Sequence, residues 1–135
     1  MPSDVLILVQ YYLPGFKSGG PIRSIQGLVE FLGDDREIRI ITYDRDSGDL
    51  LPYRDIRTEE WRKLDKSEVY YICRTRRVLW NLFKVLRETE SETLYLQSLF
   101  NPKFSIFPLM LRRLGLVKFR RVLVAPRGEL SDGAL

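Results

Sequence analysis

An apolar run that breaks into glycines and restarts as a helix constrains this chain more than any other feature. Val5 to Val9 reads VLILV, with no polar alternation. So short and continuous a run reads as a central strand buried on both faces, the habit of parallel sheets. The next stretch, Tyr11 to Ser24, reads YYLPGFKSGGPIRS. Gly19 and Gly20 remove side chains where the backbone turns sharply. Pro21 suits a first helical position, because its missing N–H would be unpaired there anyway. Ile22, Ile25, Leu28, Val29 and Leu32 then recur at helical spacing, and Gly33 supplies a stop. Strand, glycine turn and helix form the opening unit of an α/β domain, and bare N–H groups at such a helix start suit an anion such as a phosphate.

The remaining pattern repeats that logic. Glu37–Tyr43 predicts a second strand. Residues 44–66 form a long charged excursion punctuated by Gly48 and Pro52, with Trp61 as its one large anchor and a helical turn expected over Thr58–Leu64. Glu68–Cys73 predicts a third strand. A helix is expected over Arg76–Glu88 with Leu79, Leu82, Phe83 and Leu86 on its inner face. Thr93–Gln97 predicts a fourth strand. Lys103–Leu114 predicts a third helix, kinked or started late by Pro108 and ended by Gly115. Arg121–Ala125 predicts a fifth strand. The order β-α-β-excursion-β-α-β-α-β implies one α/β domain over residues 1–135, a Rossmann-like parallel sheet with helices on both faces. A sheet left incomplete there would expose apolar surface and favour aggregation.

Composition removes whole classes of function. There is no histidine, which excludes a Ser-His-Asp triad and the usual zinc sets. Cys73 stands alone, so no intrachain disulfide forms, which points to a reducing compartment. No apolar run approaches the length of a membrane span, and the N-terminus lacks a basic signal region; the expected location is cytoplasmic. The net charge of +4 is uneven. Residues 1–70 carry ten basic and thirteen acidic side chains, whereas residues 71–135 carry twelve and five. A basic second half suggests phosphate groups, in a nucleic acid or on an anionic membrane. The basic and aromatic residues lack the spacing of any nucleic-acid motif, so no nucleic-acid partner is expected.

In an open parallel sheet, ligands bind beyond the carboxyl ends of the strands. Polar and basic groups stand at each predicted end: Tyr12, Lys17, Gly19, Gly20 and Arg23 after the first; Tyr43, Asp44 and Arg45 after the second; Arg74, Arg76 and Arg77 after the third; Gln97, Ser98 and Asn101 after the fourth; Arg127, Gly128 and Glu129 after the fifth. Together they describe a cleft for a polar, phosphorylated or glycosylated ligand. Plainer readings stand beside this one. The glycine pair could be only a tight turn, and the arginines after the third strand a solvated helix start. Trp80 and Phe83 read as core or interface. Arg112, Arg113, Lys118, Arg120 and Arg121 offset a helix dipole.

Three blocks, in order, carry a family resemblance. Tyr12, Pro14, Gly19, Gly20, Pro21, Arg23 and Ser24 form a Y-x-P-x-x-x-x-G-G-P-x-R-S pattern after the first strand. LQSLFNPKFSIFPLMLRRLGL supplies a fourth strand and its helix, and VLVAPRGELSDGAL closes the set, with Ala125 where serine is usual. The chain resembles the N-terminal part of group 4 (GT4) retaining glycosyltransferases of the GT-B fold, in the bacterial polysaccharide and lipopolysaccharide branch. The resemblance implies an acceptor-side domain opposite a donor domain that carries a spaced pair of glutamates and binds a nucleotide-sugar. It also implies transfer of a hexose to a glycan or lipid-linked acceptor, with no cofactor and no essential metal. Gly19 and Gly20 would approach the donor diphosphate. Tyr12, Lys17, Arg23, Gln97, Ser98, Asn101, Gly128 and Glu129 would line the acceptor side. Arg127 stands where the broader family often has histidine and is the candidate catalytic group, stabilising negative charge. Members of the family are longer than this chain, so the expectation is a domain inactive without its donor half, at the inner face of an anionic membrane. The alternative is a stand-alone Rossmann-like binding module without catalysis.

Overall fold

A computed structural model describes residues 3–17, 19–89, 91–96, 106–117 and 119–124, with the side chains of Ser3 and Pro21 excepted. Its elements run β1 (Ser3–Leu8), α1 (Gly20–Leu32), β2 (Ile38–Tyr43), β3 (Trp61–Leu64), β4 (Ser67–Ile72), α2 (Val78–Glu88), β5 (Ser91–Leu96), α3 (Phe107–Arg113) and β6 (Phe119–Val124). The sheet order is β3-β4-β2-β1-β5-β6. All neighbouring pairs are parallel except β3 with β4. The fold is α/β, and its five parallel strands run outward in both directions from β1, the order of a doubly wound sheet.

Alternation along β1 divides the core. Leu6 and Leu8 join Ile41, Ile72, Leu94 and Leu96 under α2 and α3. Ile7 and Val9 join Ile40, Val69 and Tyr71 under α1. Both faces of the central strand are therefore apolar, as its unbroken sequence requires. In α1, Ile22, Ile25 and Val29 are buried at helical spacing. Each such side chain stabilises the fold by about 1.5–3 kcal/mol through area removed from water. Gly33 closes the helix with its N–H on the Val29 carbonyl at 2.7 Å, in ordinary right-handed geometry. Its missing side chain matters for another reason: a Cβ there would lie 2.5 Å from the Lys66 Cβ, so the β3–β4 turn could not approach.

Two sequence expectations are corrected. The segment expected to make a helical turn at Thr58–Leu64 instead contains β3, which runs antiparallel beside β4 with Trp61 opposite Tyr70. The two rings lie 5.2 Å apart, and the Arg39 guanidinium sits 5.0 Å from the centre of the Trp61 ring. Cross-strand aromatic pairing decides the matter over a weak local preference. In α2 the buried residues are Val78, Leu82, Val85 and Leu86. The helix is thus turned away from the expected face: Leu79 is exposed, and Trp80, read as core or interface, is 63% exposed. Among the described residues α3 runs Phe107–Arg113 with Pro108 in its first turn, and the expected start at Lys103 lies outside them. Gly115 ends that helix at φ 78°, a left-handed conformation suited to glycine, with its N–H on the Arg112 carbonyl at 3.1 Å.

Candidate functional site

The chain leaves β1 for β2 through α1 on one face of the sheet, and joins β4 to β5 through α2 on the other. The carboxyl end of β1 is therefore the point where the winding reverses, where open α/β sheets place their ligands. The loop from Tyr11 to Gly19 occupies that point.

Its shape is imposed by side chains from later in the chain. The Asp46 carboxylate accepts the backbone N–H of Phe16 at 2.9 Å and of Lys17 at 3.3 Å, and also that of Ser47 at 2.8 Å. Asp46 is only 3% exposed. Burial pushes its pKa up, but these N–H groups and the Lys17 charge outweigh that and hold it below the usual carboxylate value. The Tyr53 hydroxyl donates to the Tyr12 carbonyl at 3.3 Å, and the Tyr71 hydroxyl donates to the Leu13 carbonyl. The Tyr53 and Tyr71 rings meet edge to face at 6.0 Å. Burial drives the Tyr71 pKa up to about 12, so this donor keeps its proton at neutral pH. Gly15 fits beneath them because a Cβ there would stand 2.5 Å from the Tyr53 hydroxyl and 2.8 Å from an Asp46 oxygen. The Leu13–Pro14 peptide in this loop is cis.

The loop ends in the glycine pair. Gly19 has φ 47° and ψ −91°, a backbone state essentially confined to glycine. Its N–H bonds the Phe16 carbonyl, and its own carbonyl accepts the first helical N–H, from Arg23, at 3.0 Å. Gly20 follows in the first turn of α1, without a left-handed φ. Among the described residues, chain neighbours aside, a Cβ built on Gly19 or Gly20 would meet no atom within 4 Å. The local reason for glycine at position 20 is Pro21, whose ring disfavours a side chain on a helical residue before it; beyond its chain neighbours no described atom fills the space over it. The first-turn N–H groups of a helix have no partner within it and carry the positive end of its dipole.

The other candidate residues divide into three groups. Tyr12 is 2% exposed, and burial drives its pKa up to about 12. Its ring belongs to the core under α1, so it supports the loop from beneath and does not line a cleft. Lys17 is exposed and ion-paired with Asp49, whose hydrogen bond raises the lysine pKa. Arg23 is exposed on the first turn of α1. Gln97, Ser98, Asn101, Arg127, Gly128 and Glu129 lie outside the described residues.

Beside the loop, Arg45 pairs at 2.8 Å with the buried Asp44, and the Arg74 guanidinium lies 5.1 Å from the Tyr43 ring centre. Burial, then the Asp44 and Glu59 carboxylates, push the Cys73 thiol up, so it is not an activated thiolate. Among the described residues no group of three His, Cys, Asp or Glu side chains is placed to hold a metal ion.

Asp46, Tyr53 and Tyr71 were not legible as site residues. Asp46-Ser47-Gly48 shows a turn, but nothing local indicates that its carboxylate reaches across 30 residues of sequence to Phe16. Comparison of the chain with family models, curated proteins and solved structures returns no match.

Proposed function

We propose that the chain is the acceptor-side Rossmann-like domain of a retaining glycosyltransferase of bacterial surface-polysaccharide synthesis. In this reading the Gly19–Gly20 turn meets the diphosphate of a nucleotide-sugar held by a facing donor domain. The observation that carries the reading is Gly20. It lies at the winding reversal of the sheet, on a loop clamped by Asp46, Tyr53 and Tyr71. Among the described residues it has no packing contact beyond its chain neighbours and no left-handed backbone, so the space over its backbone is free for a ligand. Besides easing the helical start before Pro21, a glycine there lets a ligand approach the backbone closely. The first-turn N–H groups of α1 suit an anion there, and Arg23 adds a cation beside them.

The residues' part in the reaction is positional and electrostatic. Gly19 and Gly20 leave room for the diphosphate, α1 offsets its charge, and Arg127 stabilises charge that develops at the reacting centre. The hexose passes from the nucleotide to a hydroxyl of a glycan or lipid-linked acceptor.

The test is a titration of the isotope-labelled chain with a nucleoside diphosphate sugar, and separately with pyrophosphate, carried to high millimolar concentration because the facing donor domain supplies most of the affinity, and read by amide chemical shifts. The expected shifts cluster at Tyr11–Ser24. No shifts, or shifts centred on another surface, would remove the loop from the reaction.

A further inference from the structure

We infer that the outward faces of α2 and α3 form a docking surface for an anionic lipid bilayer. The inference stands on this surface alone and is independent of the transfer reaction.

Both helices pack on the same face of the sheet and touch each other, so their outer sides point the same way. Burial of Val78, Leu82, Val85 and Leu86 leaves Trp80 on the opposite side of α2. With it run Arg77, Lys84 and Arg87, spaced three, four and three residues apart along one outward stripe. Leu79 is exposed next to them, and the Trp80 and Phe83 rings lie 5.9 Å apart. On α3 and the residues flanking it, Ile106, Met110 and Leu114 recur at every fourth position and are all exposed, with Arg113 beside them.

A soluble helix normally turns its largest apolar side chains inward. Here α2 buries two valines and two leucines and presents its tryptophan to solvent. Apolar side chains interleaved with cations are the make-up of a helix that lies in the interface of an anionic membrane, with tryptophan at headgroup level. Among the described residues, no carboxylate forms an ion pair with Arg76, Arg77, Lys84, Arg87 or Arg113. Glu88 shares the hollow of Trp80, Phe83, Lys84 and Arg87, but the cations of the surface outnumber it, and charge complementarity favours an anionic partner. The aliphatic members favour lipid over nucleic acid, because Leu79, Ile106, Met110 and Leu114 offer neither stacking nor hydrogen bonds to bases. The N-terminus of α2 follows the carboxyl end of β4, so the docked face adjoins the end of the sheet that carries the candidate site.

Cosedimentation of the full chain with phosphatidylcholine vesicles, with and without phosphatidylglycerol, tests this. Binding is expected only with phosphatidylglycerol, weakening as salt rises. The double variant Arg77→Gln/Arg87→Gln is expected to bind about 30-fold more weakly. Trp80→Ser is expected to bind about tenfold more weakly. Wild-type tryptophan emission shifts to the blue on binding, and Trp80→Phe abolishes that shift while Trp61 still emits. The control Arg54→Gln/Arg57→Gln, in the excursion, keeps wild-type binding. Any of four results overturns the inference: no binding to phosphatidylglycerol, equal binding to neutral vesicles, equal loss in the control, or tight binding of a DNA oligonucleotide without vesicle binding. A dimer abolished by Trp80→Ser, again without vesicle binding, also overturns it by assigning the surface to a second copy of the chain.

Discussion

A buried carboxylate that accepts three backbone N–H groups must stay ionised to keep them all. Because the folded pKa of Asp46 is lowered, its contribution to stability is complete above its unfolded value of about 4. That contribution is lost as pH falls through the folded value. Asp46→Asn is expected to cost about 2 kcal/mol at neutral pH and to flatten the fall in stability on acidification, measured by urea unfolding at pH 7 and below pH 4. An unchanged acid slope would show that Asp46 is not the group responsible. Gly15→Ala tests the same clamp from the other side. Its new methyl must displace the Tyr53 hydroxyl and the Asp46 carboxylate. A loss of about 1–3 kcal/mol is expected from overpacking, and wild-type stability would show that the loop yields freely.

At the scale of elements, the edge hairpin rests on aromatic contact. Trp61 on β3 contacts both the Tyr70 ring and the Arg39 guanidinium, so Trp61→Ala is expected to cost about 1–2 kcal/mol. Hydrogen exchange should speed up along β3 while β1 and β2 remain protected; uniform acceleration would mean that the hairpin belongs to the cooperative core. The parallel strands and α1 were legible because each meets its environment with one unbroken pattern. VLILV is buried on both faces, and Ile22, Ile25 and Val29 fall on one side of a helix. β3 was not, because Trp61-Arg62-Lys63-Leu64 has little periodicity of its own and becomes a strand only by pairing with β4. The face of α2 was misread for a related reason. Leu79 and Phe83 match helical spacing as well as Val78 and Val85 do, and only the position of the sheet decides between them. The glycine pair was legible as a turn at a helix start, whereas the clamp that fixes it depends on contacts distant in sequence.

Across the whole molecule, one missing methyl group tests the proposed site without dismantling the fold. Gly20 is helical and no described atom beyond its chain neighbours would meet a Cβ there, but Pro21 disfavours a side chain on the residue before it, so Gly20→Ala is expected to cost at most about 1 kcal/mol and to leave the fold intact. The same methyl would enter the space proposed for a diphosphate and should abolish the chemical-shift response to a nucleoside diphosphate sugar. A folded variant that still responds would refute the proposed contact. The two faces of the sheet are also covered unequally. Among the described residues α1 is the helix on its side, and it leaves Tyr95 half-buried and Leu123 54% exposed beside Leu28 and Leu32. Leu123→Lys is expected to raise solubility without loss of stability, checked by light scattering and thermal melting. A marked loss of stability would place Leu123 in the core. No helix among the described residues is long and apolar enough to cross a membrane.

The clamp on the site loop also has a consequence in time. Phe16 waits for Asp46, Tyr12 for Tyr53 and Leu13 for Tyr71, partners separated by 30, 41 and 58 residues. A chain emerging from a ribosome would carry Tyr11–Gly19 as a tethered, shapeless segment until β4 had been made. The first-made part of the candidate site would then be among the last to take form.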